Sequence, residues 1–418
     1  MRNLNSVVYP VLFMVNIVIA QTSNVVEQFH VGDVGEDALN LSGLTTITVT
    51  GSSFIGGGGD TNPGTISGGD KSGGAGLITS GGEVSIGSSN LQGGKGGISS
   101  VNNVSLQTLD GGDGYLHSGA SIAISLDGSF TGGMGGSATN DFGGLKTHGG
   151  DGVNLTDVST SVNVNNGSYV GGNAGVARLN STDNATVYAQ TYLDINGAHG
   201  GHGLRITRFD QVPNGDELRI TAGTFSGGDG GVVTNIQSGL TTAQGGSGVF
   251  SDYADVTVDG GVFSGGKAGT FNGVSDSRGA GFHAQDSNLT INEGVFNGLG
   301  LRYEARYYDV QNTINGGTFD KVEYISNYDD FLGTSNRVTR AVINEGTIQT
   351  LYLKGETINE VVINGGTIEK SIELLGSGSN MLSISGLANV GDVHVSGSSY
   401  NALSVGGSAA LNRITQSS

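Results

Sequence analysis

The sequence predicts an all-β fold, a right-handed parallel β-helix (solenoid) of about a dozen rungs, and three observations carry that expectation. Glycine reaches 78 of 418 residues while proline numbers three and cysteine none. Only a regular architecture uses glycine so heavily; a Pro/Gly linker needs more proline, and collagen needs a strict three-residue repeat. Apolar residues recur in short alternating pairs, the period of a half-buried strand. Above all, one unit is repeated along most of the chain.

The elements follow in order. Arg2 precedes the apolar stretch "VVYPVLFMVNIVIA", Val7 to Ala20, which reads as a secretory signal at 1–20, too short to span a bilayer of about 20 residues. Residues 21–45 are expected to cap the first rung. From Thr46 the unit appears as "TITVTGSSFIGGGG", then "EVSIGSSNLQGGKGG", "AISLDGSFTGGMGG" and "SVNVNNGSYVGGNAG", and later as "ELRITAGTFSGGDGG", "DVTVDGGVFSGGKAG", "NLTINEGVFNGLG" and "NTINGGTFDKV". Its alternating pair is a strand with one buried face. A corner residue follows, drawn mostly from Asn, Asp or Thr, with Asn165, Asn196, Asp259, Asn292, Asn315, Asn344 and Asn364 the clearest. These types tolerate left-handed backbone and bond locally. The glycine beside the corner, such as Gly261 or Gly294, supplies positive φ. Next, Phe54, Phe130, Tyr169, Phe225, Phe263, Phe296 or Phe319 points inward, and its recurrence predicts like stacked on like. A "GGxGG" bend then leads into a third strand, opened by Leu77, Tyr115, Val153, Leu204, Val249 or Phe282.

Glycine-rich rungs thus occupy 46–300. Tighter rungs such as "AVINEGTIQTLYL" and "VVINGGTIEKSIEL" fill 301–379, and 380–418 gives small terminal rungs or a cap. Rungs about 4.8 Å apart make a rod of roughly 60 Å. The units resemble the right-handed β-helices of the pectin-lyase-like group, and most of all the repetitive passenger segments of autotransporter adhesins. That resemblance implies an exported, surface-exposed rod and says little about chemistry.

Composition narrows the partners. The net charge is -19 with 18 Lys and Arg, so nucleic acid is an unfavourable ligand, since phosphate binding needs clustered cations. Without cysteine there is no thiolate metal site. The "GGDGY", "GGDGG" and "GGDGV" pentads invite a calcium reading, but the following residue is never the Asp that the nonapeptide repeat requires. His199 and His202 on a glycine loop lack a third zinc ligand. Gly261, Gly266 and Lys267 stand at phosphate-loop spacing, but Ala268 replaces the hydroxyl residue and a strand follows where a helix is needed. No metal or cofactor is expected.

Two constellations remain. Taking the strand after each pentad as one face gathers Arg205, Arg208, Asp210, Asp252, His283 and Asp286, the set from which a polysaccharide lyase or hydrolase would draw its base, acid and charge-neutralising groups. The second is an aromatic and charged stretch holding Tyr303, Tyr307, Tyr308, Tyr324, Tyr328, Asp329 and Asp330, a candidate glycan-binding patch because tyrosine rings pack on sugar faces; the alternative is a seam between the two kinds of rung. The expectation is an exported, non-enzymatic structural or adhesive protein with glycans or surface polymers as partners, secreted or held at the cell surface. A polysaccharide-active enzyme of the same fold is the alternative.

Overall fold

The structure is a computed structural model, and it describes residues 22–61, 71–101, 107–121, 123–140, 145–158, 161–179, 197–208, 217–235, 242–306, 308–326, 338–396 and 400–417. The signal-like segment and Asn196 lie outside these residues. Among them there is no helix, and none that could cross a membrane. One sheet of 31 strands runs through the molecule, each strand hydrogen-bonded in parallel to its counterparts in neighbouring repeats. The arrangement is consistent with a solenoid.

Three columns of strands make up the stack. The first contains Asp255–Val258 between Glu217–Ile220 and Asn288–Ile291. In the second, Val262–Ser264 lies between Thr224–Ser226 and Val295–Asn297. In the third, Val249–Asp252 lies between Leu204–Thr207 and Ala280–Gln285. Alternation is kept throughout, as in Asp255–Val258, where Val256 and Val258 are buried while Asp255 and Thr257 are partly exposed. The register brings identical positions together, so one rung's inward residue sits on the next rung's. Phe130, Tyr169, Phe225, Phe263, Phe296 and Phe319 form a continuous pile with centroids 4.5–5.0 Å apart and planes within 9° of parallel. Each such contact adds about 0.5–1.5 kcal/mol beyond area burial.

The corner before this pile matches the expectation at its glycine and departs from it at the Asn or Asp. The left-handed residue is the glycine, with φ 121° at Gly261 and 139° at Gly294, and the Asn or Asp before it is not left-handed. Its side chain instead joins a ladder. Asn292 donates to Asp259, Asn315 to Asn292, Asn344 to Asn315 and Asn364 to Asn344, at 2.8–3.0 Å. Asparagine suits this role because its amide is donor and acceptor at once.

The glycine pentads are not bends. None of Gly93, Gly94, Gly96 or Gly97 has positive φ. Each rung of the N-terminal region carries two extended glycine segments, one leaving the second column and one entering the third, and the two lie face to face. In the leaving segment Gly93 donates to Thr131 of the next rung, Gly94 to Gly74 of the facing segment, Gly96 to Met134 of the next rung and Gly97 to Lys71 across the gap. The entering segment reciprocates, with Gly111 donating to His148 and Gly112 to Gly94. The pattern repeats every third residue, the period of the left-handed polyproline-type helix. Side chains are excluded where the segments meet: a Cβ on Gly172 would stand 1.9 Å from the Gly133 carbonyl oxygen, and one on Gly228 1.9 Å from that of Gly172.

Beyond this double glycine wall the chain makes a flange. Its parallel strands Ile98–Val101, Ser137–Asn140, Val176–Leu179, Val232–Asn235 and Thr270–Phe271 end on the antiparallel Val274–Ser275. A small core of Leu109, Ala138, Leu145, Ala177, Ala198, Val233 and Ala243 lies between flange and wall. From Val295 onward wall and flange are absent among the described residues. Gly298, at φ 71°, alone joins Val295–Asn297 to Leu299–Ala305, and later the second and third columns fuse into single strands such as Thr318–Ser326 and Thr347–Gly355.

Candidate functional site

Where the entering glycine segment meets the third strand column, the molecule is concave. A groove of about 870 Å³ runs there, crossing the rungs from Asp37 to Arg306. At one rung per ~4.8 Å its course covers about 35 Å.

Both walls follow from local geometry. In a threefold helix two of every three residues face neighbouring segments and must be glycine, while the third faces out. The outward positions are Asp110 and Asp113 in one rung, His148 and Asp151 in the next, then His199 and His202, then Gln244 and Ser247, and all of them line the groove. The opposite wall is the first outward residue of each third-column strand, with Asn154, Arg205, Phe250, His283 and Arg302 in register.

The outward side chains have a structural duty. An outward N–H in a threefold segment has no backbone partner, and the side chain one rung earlier supplies it. Asp110 Oδ1 accepts from the His148 N–H at 2.8 Å, Asp113 Oδ1 from Asp151 at 2.7 Å, Asp151 Oδ1 from His202 at 2.6 Å, and His202 Nδ1 from Ser247 at 2.9 Å. The acidic residues of the pentads serve likewise on the other segment, where Asn173 caps Asp229 and Asp229 caps Lys267, each at 2.8 Å. The Gly266 N–H donates to Gly246, so the loop that matched a phosphate motif has these amides engaged within the wall.

Charge is distributed unevenly. Toward the N-terminal end stand Asp37, Asp110, Asp113 and Asp151, with Lys146 Nζ 3.1 Å from Asp110. Burial raises Asp113, and burial together with the Asp113 charge pushes Asp151 up to about 7. The imidazoles of His148 and His202 are held well below their ordinary range by burial and neighbouring cationic groups, so both are neutral at pH 7. His148 stacks on His199 at 4.6 Å, and His202 on Phe250 at 5.0 Å.

Toward the C-terminal end the groove becomes basic. Arg205 lies over the Phe250 ring at 5.7 Å, 4.0 Å from Asp151. Glu304, fully buried, takes Arg302 at 2.5 Å and Arg306 at 2.7 Å. Burial alone would raise its carboxyl; His283, Arg302 and Arg306 reverse this and hold it well below the usual range. The arginines carry most of the effect, because His283 is itself depressed by burial and stands 3.7 Å away. Asp252 is pushed up to about 7 by burial and the nearby Asp286 charge.

Of the residues singled out from sequence, Arg205, Asp252 and His283 line this groove together. Arg208 is buried, 6% exposed, and does not line it. Asp286 is fully buried at a left-handed corner, φ 43°, where its Oδ1 accepts the N–H groups of Arg306 and Tyr308. Asp210, Tyr307, Tyr328, Asp329 and Asp330 lie outside the described residues. Tyr303 and Tyr324 point into the interior, edge to face at 5.8 Å, their hydroxyls bonded to the Ser287 carbonyl and to Asn312. Rings so placed cannot meet a sugar from solvent. Tyr308 packs against the core and, edge on, against Tyr253 at 6.0 Å.

Sequence reasoning missed Asp113, Asp151, Asn154, His148 and Phe250. For Asp113, His148 and Asp151 the signal was the three-residue spacing of 110 and 113, 148 and 151, 199 and 202, which neither strand nor helix periodicity detects; Asn154 and Phe250 are outward positions of the third-column strands. Among the described residues no three His, Asp or Glu are placed to hold a metal ion. Comparison with protein-family models, curated proteins and solved structures finds no match for the chain.

Proposed function

We propose that the protein is an exported, non-enzymatic right-handed parallel β-helix, structural or adhesive at the cell surface or in the extracellular matrix, which holds an extended glycan in its axial groove. Handedness is inferred from the general rule for parallel crossovers. Export is inferred from the basic and apolar N-terminal stretch. The observation that carries the binding reading is the groove itself, continuous over successive rungs from Asp37 to Arg306 and lined mainly by polar side chains. Such a channel matches a linear polymer better than a compact metabolite.

A second reading, polysaccharide cleavage, is favoured by the Asp151 and Asp252 carboxyls, both near 7 and both facing the groove with Arg205, since perturbed carboxyls mark acid–base sites. Binding is preferred because these groups already have structural partners. Asp151 caps the His202 amide, and Asp252 accepts from the Gln285 side-chain amide at 3.3 Å. A glycan array followed by turnover assays on the mature protein tests both readings. Retention of oligosaccharides without product is expected; steady turnover abolished by Asp252→Asn would replace the binding reading with the enzymatic one.

A further inference from the structure

The groove is polarised, and the polarity selects a ligand. In a chain of net charge -19 that holds only 18 Lys and Arg, four arginines, Arg205, Arg278, Arg302 and Arg306, line its C-terminal half. The carboxylates facing them cancel only part of this charge. Glu304, ionised and buried beneath Arg302 and Arg306, offsets one of their two charges, and Asp252 and Asp151, both near 7, are only partly ionised at neutral pH. Arg302, Arg306 and Arg205 keep 32%, 41% and 42% of their side chains exposed, so guanidinium edges reach the groove. Guanidinium forks bind planar and tetrahedral oxyanions, and a low-dielectric cleft concentrates their field. The other half offers carboxyl oxygens at Asp110, Asp113 and Asp151, which suit sugar hydroxyls, and with Asp37 these acids outnumber the cation Lys146 beside them.

We infer that the groove takes a sparsely charged acidic glycan, with a carboxylate or sulfate substituent seated at the Arg205 guanidinium, on the side of Arg302 and Arg306 three rungs further on, and neutral, hydroxyl-rich sugars along the carboxylate half. This rests on the glycan-binding reading. A uniformly charged polymer, including a nucleic acid, would bring anions against Asp110, Asp113 and Asp151 and is disfavoured by the same geometry.

The test uses the mature protein and four probes: a neutral hexasaccharide, the same hexasaccharide with one terminal uronate, the same with one terminal sulfate, and a single-stranded oligonucleotide. Calorimetry at low salt should give binding about tenfold tighter for at least one charged sugar than for the neutral one, and which of the two gains identifies the oxyanion. Arg205→Gln should abolish that gain, so that charged and neutral sugars bind the variant equally, while Lys267→Gln, exposed on the glycine segment leaving the second column, should change nothing. An unshifted melting temperature shows that Arg205→Gln folds. Equal binding of neutral and charged sugars overturns this inference and leaves the glycan groove standing. Absence of binding by every sugar overturns both, and tighter binding of the oligonucleotide overturns the choice of partner.

Discussion

The rungs before Gly281 and those after Thr318 solve one packing problem in two ways. In the later region the second and third columns fuse, as in Thr347–Gly355, where Ile348, Leu351 and Leu353 are buried in one continuous strand. In the earlier region the chain leaves the second column through a glycine segment, builds a flange, and returns through another. The later region is held by side chains throughout, whereas the earlier one replaces them, at the wall, with backbone against backbone. That replacement creates the concave corner, since the returning segment brings polar outward residues beside the third column. The groove is a by-product of the wall.

The comparison predicts effects of different size in the two regions. The largest is expected for Gly172→Ala, whose methyl would collide with the Gly133 carbonyl oxygen at 1.9 Å; backbone cannot retreat as a flexible side chain can, so a loss above about 4 kcal/mol is expected. Hydrogen exchange should lose protection around 132–231 while 338–396 stays protected, because stacked repeats interact chiefly with their neighbours. Gly87→Ala, with open space around the added methyl, should be nearly silent. Equal losses of protection in both regions would show that they do not unfold separately.

Phe263→Ala removes one ring from a pile that continues on both sides and should cost about 3–5 kcal/mol in chemical denaturation. A cost below about 1 kcal/mol would mean that the pile is not a main source of stability.

On the alkaline side the pH response should belong to the walled region, whereas the depressed carboxyls of Glu304 and Glu323 beyond it act only in acid. Asp151 is raised from 3.8 to about 7 in the folded chain, so the folded state holds the proton more tightly than the unfolded one. Its stabilising contribution is full below about 3.8, declines as pH rises toward about 7, and is lost above. Asp151→Asn keeps the oxygen that caps His202 and removes the ionisation. The variant should exceed the parent in stability by roughly 2–4 kcal/mol at pH 8 and gain little at pH 4. A difference independent of pH would refute the assignment.

The smallest effect is expected from Asn315→Ala, which interrupts the amide ladder between Asn292 and Asn344 and should cost about 1 kcal/mol.

Much of the later region was legible in the sequence, because alternation, the Asn-Gly corner and the inward aromatic are all two-residue or single-residue signals. Gly346 and Gly366 take positive φ, as do Gly261 and Gly294 at the same corner of earlier rungs, and as the position beside the corner suggested. The wall was not legible, since a threefold segment shows only glycines with an odd residue between them, and that pattern also fits a bend. Misreading the bend hid the site. Asp113 and Asp151 looked like features of a loop until the geometry placed them on one outward stripe. The buried fate of Tyr303 and Tyr324 was equally hidden, because "LRYEARYYDV" contains three tyrosines in six residues and alternation there does not say which faces in.

The threefold wall also constrains how the gene can change. One residue added within Gly93–Gly97 would turn every later amide of that segment through a third of a turn, away from its acceptor, so length there can vary only in steps of three. Between the two glycine segments no such rule applies, and the intervening stretch runs from 98 to 110 in one rung and from 176 to 199 in another. Insertions should therefore accumulate in the flange, and the groove should outlast them.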